Sequence, residues 1–129
     1  MKKIINGILK VLLVLLLVGP ILGTLGIFPE PTPDLYKTTE AYDFIITLMN
    51  SGYIMWIMTA VFIICIGLII KNKMALVSIL LLPITLNIIG FHMFMDGGLL
   101  TGGAVMGNIL FLINLYFLWQ NKDRYKSLL

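Results

Sequence analysis

The chain has 129 residues, of which 60% are hydrophobic and only 12% are charged, and its mean hydropathy is +1.04. In a soluble domain about 25% of all residues are charged, and they cover its surface. This composition therefore argues against a soluble domain and against a disordered one, and it indicates a membrane protein. The net charge of +3 comes from lysines at the ends of apolar runs, which is typical of membrane topology, so we expect no nucleic-acid partner.

Four apolar runs are each close to the roughly 20 residues that a helix needs to cross a bilayer. They cover residues 4–23, 53–70, 74–95 and 99–119. The last three runs are joined by links of a few residues, so neighbouring helices must be antiparallel. The sequence predicts an all-α integral membrane four-helix bundle over residues 1–129, a single domain that leaves no room for a soluble catalytic one.

The basic residues divide unevenly between the two sides of such a bundle. Lys37 alone falls on one side, and eight basic residues fall on the other: Lys2, Lys3, Lys10, Lys71, Lys73, Lys122, Arg124 and Lys126. Cytoplasmic segments carry an excess of lysine and arginine. We therefore expect both termini to be cytoplasmic.

The segment 24–52 is the only long connection, and we expect it on the outer side. Thr32 could cap a helix with Pro33 at its first position, and the pattern predicts that this helix ends near residues 50–52. Apolar residues then recur at helical spacing: Leu35, Tyr42, Ile45, Ile46 and Met49. The pattern predicts an amphipathic helix, which is more often a cap over the bundle than a lid on a binding site.

His92, the only histidine, lies within the third span and has Asp96 four residues later on the same helical face. Such a pair could relay a proton, or hold a polar headgroup such as a quinone carbonyl beside Phe91 and Phe94. A wet, structural position at the outer interface is an equally good interpretation. With one histidine and one cysteine, Cys65, we expect neither haem nor a metal site.

Asn87 lies near the middle of the third span. An unpaired amide in hydrocarbon is costly, so we expect Asn87 to face other helices, with Asn108 or Asn114 as its partner. Packing between helices is the favoured role over substrate binding. At 100° per residue Asn87 and His92 stand about 140° apart around the helix, so the sequence does not place them in one cavity.

Glycines four residues apart in the first and fourth spans predict close approach of neighbouring helices. The pairs are Gly19 with Gly23, Gly98 with Gly102, and Gly103 with Gly107.

Pro83, Asn87 and the run Phe91-His92-Met93-Phe94-Met95-Asp96 resemble, in this order, the third-helix signature of the DoxX-like family. Residues 51–54, Ser-Gly-Tyr-Ile, resemble the start of that family's second helix. The resemblance implies a small four-helix protein of the bacterial inner membrane, in a family with some members linked to quinone redox chemistry. It singles out Pro83, Asn87, His92 and Asp96. Residues 59–65 lack the acid that members often carry in the second helix.

Together with this resemblance, these features predict an accessory or redox-associated, quinone-linked membrane subunit, and they favour the absence of independent catalytic activity without deciding it. The candidates for proton chemistry are His92 and Asp96, and the candidate contacts to the small molecule are Asn87, His92, Phe91 and Phe94. The expected partners are membrane lipid and either a membrane redox protein or a second copy of the chain. The alternative is a non-catalytic scaffold or small-molecule carrier.

Overall fold

The computed structural model describes residues 1–129 and contains only helices, turns and loops. Its five α-helices are α1 Lys2–Thr24, α2 Thr39–Asn50, α3 Tyr53–Ile70, α4 Met74–Phe94 and α5 Val105–Gln120. Short 3-10 turns lie at Pro33–Leu35, Gly102–Ala104 and Lys122–Leu128. Four helices, α1, α3, α4 and α5 with its preceding turn, are long and apolar enough to cross a membrane. The predicted all-α membrane bundle with an extra helix between spans one and two is confirmed.

The four long helices form a ring in which α1 and α4 each pack against both α3 and α5. Apolar side chains from all four helices fill its centre: Leu13, Leu17, Phe62, Cys65, Ile69, Met74, Val77, Leu81, Leu110, Ile113 and Phe117. Large apolar side chains such as Ile8, Ile63 and Leu112 are exposed on the outside of the ring. This distribution suits a bundle whose outer surface is covered by lipid.

Hydrogen bonds from Asn6 to Gln120 and from Lys10 to Asn72 bring both termini and the α3–α4 link to one end of the bundle. We call it the basic end, because it holds Lys2, Lys3, Lys10, Lys71, Lys73, Lys122, Arg124 and Lys126. The opposite, acidic end is formed by residues 25–52 and 95–101, and it holds Glu30, Asp34, Glu40, Asp43 and Asp96.

The helix of the long connection begins later than predicted. Residues Pro33–Leu35 form only one 3-10 turn, and Thr32 makes no side-chain capping bond. Instead, the Thr38 hydroxyl accepts a hydrogen bond from the backbone N–H of Ala41 and caps α2. Of the predicted apolar stripe, Leu35 is exposed, and four residues are half-buried: Tyr42, Ile45, Ile46 and Met49. The end of the helix at Asn50 is as predicted.

The start of the fourth span is also later than the predicted Leu99. Gly97 and Gly98 adopt positive φ angles of 82° and 102°, which other residues rarely adopt, and they turn the chain after α4. The side-chain amide of Asn108 donates to the Leu99 carbonyl at 2.7 Å and holds the link in a non-helical path. The helix therefore begins only after the turn Gly102–Ala104.

Of the predicted glycine contacts, only those of Gly103 and Gly107 lie at a helix interface. A β-carbon at Gly107 would stand 2.6 Å from Cγ2 of Ile88 on α4, and one at Gly103 would lie 3.6 Å from Oδ2 of Asp96. Gly19, Gly98 and Gly102 have no neighbouring atom within 4 Å of such a carbon. Gly107 is thus the position that allows α4 and α5 to approach.

Gly107→Ala should therefore lower the free energy of unfolding by about 1–3 kcal/mol, the usual cost of overpacking. Gly19→Ala is the matched control, since its added methyl meets open space and alanine favours a helix by up to about 1 kcal/mol. Denaturant titration of the detergent-solubilised protein measures both. Equal effects of the two substitutions would contradict the close approach at Gly107.

Candidate functional site

Asp96 lies two residues beyond α4 and is only 2% exposed. Its Oδ1 accepts the backbone N–H of Lys37 at 2.8 Å, and its Oδ2 lies 3.0 Å from Nδ1 of His92. Beside it, the Thr38 hydroxyl donates to the Met95 carbonyl. The carboxylate therefore joins the connection before α2 to the end of α4, and the predicted His92–Asp96 pair is formed.

The His92 ring lies in the interface between α4 and α5. Atoms of the ring would lie 3.9 Å and 3.6 Å from β-carbons added at Gly103 and Gly107, which places the ring against the start of α5. Its side chain is 12% exposed. A carboxylate oxygen can only accept, so the ring nitrogen Nδ1 is the donor to Asp96.

Phe91 is the centre of an aromatic cluster at the acidic end. Its ring stacks on Phe44 of α2 with centroids 5.9 Å apart, meets Tyr36 edge-on at 6.3 Å, and meets His92 at 5.1 Å. Burial, the negative charge of Asp96 and the neighbouring Tyr42 raise the pKa of the Tyr36 phenol, in that order of size. Tyr36 therefore stays neutral in this cluster and packs as an aromatic with a hydroxyl donor.

An open groove of about 440 Å³ runs along the outer face of α4 below Phe44. Its lining is Phe44, Pro83, Leu86, Asn87, Gly90, Phe91 and Met95. Asn87 supplies the side-chain amide of this groove, and the side chain is exposed. The groove is thus an apolar surface with one group that can both donate and accept hydrogen bonds.

The prediction that Asn87 faces the other helices is wrong. Asn114 donates instead to the Thr85 hydroxyl at 3.1 Å, and Asn108 bonds to the Leu99 carbonyl. Thr85 and Asn87 are two residues apart and point about 200° apart around α4. With Thr85 fully buried towards α5, Asn87 must face outwards.

The structure thus separates the predicted site residues into two places. Asn87 and Phe91 line the groove, whereas His92 and Asp96 lie in the α4–α5 interface and the loop contact. Phe94 is 82% exposed and lines neither place. Histidine, cysteine and acidic residues do not gather in a group of three that could hold a metal ion.

Sequence reasoning missed Phe44, which forms one wall of the groove. In the sequence Phe44 is marked only as an aromatic residue next to the apolar stripe of α2. The stripe does not predict which part of α4 the helix will contact. The contact depends on where the Lys37–Asp96 bond places α2.

No family model, no curated protein and no solved structure matches this chain. The resemblance to the DoxX-like family stays a prediction carried by the quoted residues.

Asp96→Ala tests the hydrogen bond that joins the connection before α2 to the end of α4. It removes the acceptor of the Lys37 N–H, and loss of such a partner costs about 1–3 kcal/mol. We expect faster hydrogen exchange at the Lys37 amide, measured by mass spectrometry. His92→Ala is the control: Lys37 bonds to Oδ1 and His92 to Oδ2, so that amide should stay protected. Loss of protection in the control alone would contradict this assignment.

Proposed function

We propose that this integral membrane protein is an accessory subunit that holds the headgroup of a quinone in the groove on α4. The observation that carries the proposal is the Asn87 amide, exposed within an otherwise apolar groove on the lipid-facing side of a membrane helix. An amide left without a hydrogen-bond partner in hydrocarbon is costly. A membrane-soluble molecule with a polar headgroup removes that cost.

The groove fits the chemistry of a quinone. A quinone ring is flat and apolar on both faces, and its carbonyl oxygens accept hydrogen bonds. Phe44 and Phe91 offer aromatic surface, Gly90 adds no side chain, and the Asn87 amide nitrogen is the donor for a carbonyl. Because the groove is open, an isoprenoid tail can remain in the membrane beside α4. Few polar groups in an apolar lining are typical of ligand sites.

The groove lining contains no ionisable side chain. His92 and Asp96, the only such pair near it, are engaged between α4, α5 and the connection before α2. The chain therefore serves to bind and orient the quinone, and electrons and protons would be exchanged by a partner protein. This division of labour supports an accessory subunit of the kind that the DoxX-like resemblance implies.

The orientation that we propose places the basic end in the cytoplasm of a bacterium. Eight of the nine basic residues lie at that end, and cytoplasmic segments are enriched in lysine and arginine. The acidic end, with α2 and the aromatic cluster, then faces outwards from the inner membrane.

Purified full-length protein should bind short-chain ubiquinone or menaquinone analogues, and Asn87→Leu should weaken this binding about five- to tenfold by removing one hydrogen bond. His92→Gln is the control, because His92 lies outside the groove lining and the substitution should leave affinity unchanged. Isothermal titration in detergent gives the affinities, and mass spectrometry shows whether a native quinone stays bound.

Absence of quinone binding by the wild type would refute the proposal. Equal affinity in Asn87→Leu, with a loss in His92→Gln, would move the site to the histidine.

A scaffold is the second candidate, since the same exposed amide can pair with a polar side chain on a partner's helix. It predicts that Asn87→Leu reduces a larger assembly in native membranes to a smaller one.

Single cysteines test the orientation. Ser127→Cys at the basic end and Thr32→Cys at the acidic end both replace exposed residues, and the native Cys65 is fully buried. In intact cells a membrane-impermeant maleimide should label Thr32→Cys and leave Ser127→Cys unlabelled until the membrane is opened. The reverse pattern would place the termini outside.

A further inference from the structure

A second cavity lies at the basic end, far from the groove. It is a cleft of about 450 Å³ between the start of α1, the α3–α4 link and the end of α5. Three cationic side chains line it, Lys3, Lys10 and Arg124, and no acidic residue does. The nearest acid in the tail, Asp123, forms an ion pair with Lys126 at 2.7 Å. The cleft therefore concentrates positive charge.

The side-chain amides of Asn6, Gln120 and Asn72 add hydrogen-bond donors to the cleft, and the oxygen of each already accepts at least one hydrogen bond. The Asn6 oxygen accepts from the Tyr116 hydroxyl at 2.7 Å and from the Gln120 amide at 3.1 Å. The Gln120 oxygen accepts from Asn6, and the Asn72 oxygen accepts from Lys10. The N–H donors left free on these three amides are one of Asn6 and both of Asn72. Cations together with N–H donors are the partners that a phosphate group requires.

The cleft is held in shape by tertiary contacts. The bonds among Asn6, Tyr116 and Gln120 join the first helix of the chain to the last. The Tyr125 hydroxyl donates to the Ala75 carbonyl at 2.9 Å and fixes the tail that carries Arg124. The Lys10–Asn72 bond fixes a third side. The Lys10 ammonium is thus positioned before any ligand arrives, which lowers the entropic cost of binding.

We propose that this cleft binds the phosphate of an anionic phospholipid from the surrounding membrane. The surface next to the cleft favours a lipid over a soluble phosphate compound. Gly7 lines the cleft, and Val11 and Leu15 follow it at one-turn intervals along α1. Both are more than 60% exposed. An acyl chain can lie along this apolar line while its headgroup occupies the cleft, as basic pockets between membrane helices bind anionic lipids.

The experiment compares lipid retention by native mass spectrometry of the full-length protein, mixed with equal amounts of phosphatidylglycerol and phosphatidylcholine. We expect the wild type to retain phosphatidylglycerol about tenfold more strongly. Lys10→Gln should remove most of this preference. Lys71→Gln is the matched control, because it removes the same charge at the same end but lies outside the cleft.

Gly7→Leu tests the volume of the cleft without changing its charge. A β-carbon at Gly7 has no atom within 4 Å, so the variant should fold normally while its side chain fills the cleft and displaces the lipid. Thermal unfolding of each variant checks the fold. Equal retention of the two lipids by the wild type, or an equal loss in Lys71→Gln and Lys10→Gln, would overturn the proposal.

Glycerol phosphate added at millimolar concentration separates a lipid from a soluble ligand. The apolar line on α1 gives the lipid contacts that glycerol phosphate lacks, so phosphatidylglycerol should stay bound. Displacement of the lipid by glycerol phosphate would overturn the lipid assignment and make the cleft a site for soluble phosphate compounds.

Discussion

The hydrocarbon of a bilayer supplies no hydrogen-bond partners, so the backbone polar groups of the spanning helices must be paired within the chain, and polar side chains there are stabilised by pairing across helices. This constraint fixes how α4 and α5 meet. Asn114 donates to Thr85 across their interface, and Ser78 bonds to the carbonyl of Met74 in its own helix. Gly107, about two turns before Asn114, lets the same two helices approach closely. Apolar packing alone permits many registers between two helices, whereas the bond between Asn114 and Thr85 permits one.

Hydrogen bonds between distant segments also hold the two ends of the bundle together. At the acidic end the buried Asp96 takes the N–H of Lys37, which lies 59 positions away in the sequence, and thereby positions α2 and Phe44 over α4. At the basic end Asn6 and Gln120 join the first and last helices. The groove and the cleft are therefore both consequences of polar contacts between distant segments. Asp96 does not line the groove, but its bond to Lys37 positions Phe44, which does.

The features that could be predicted from sequence are those that depend on local spacing. The lengths of the apolar runs predicted the four spans, and the separation of four residues between His92 and Asp96 predicted their bond. The start of α2 could not be predicted, because it depends on the Asp96 contact that competes with continued helix at Lys37. The orientation of Asn87 was mispredicted because α4 is apolar around its whole circumference and has no polar stripe to mark its outer face.

Thr85 and Asn87 show why such a failure is informative about function. Two residues at this spacing cannot both face α5, and the structure gives that place to the smaller hydroxyl, which fits the interface and pairs with Asn114. An apolar residue at position 87 would meet every packing requirement of the bundle, since that side chain is exposed. The amide is thus unnecessary for the fold and costly in lipid. Because the fold does not need this amide, and because it lies in a groove with two aromatic walls, it is the residue on which we base the proposed ligand or partner.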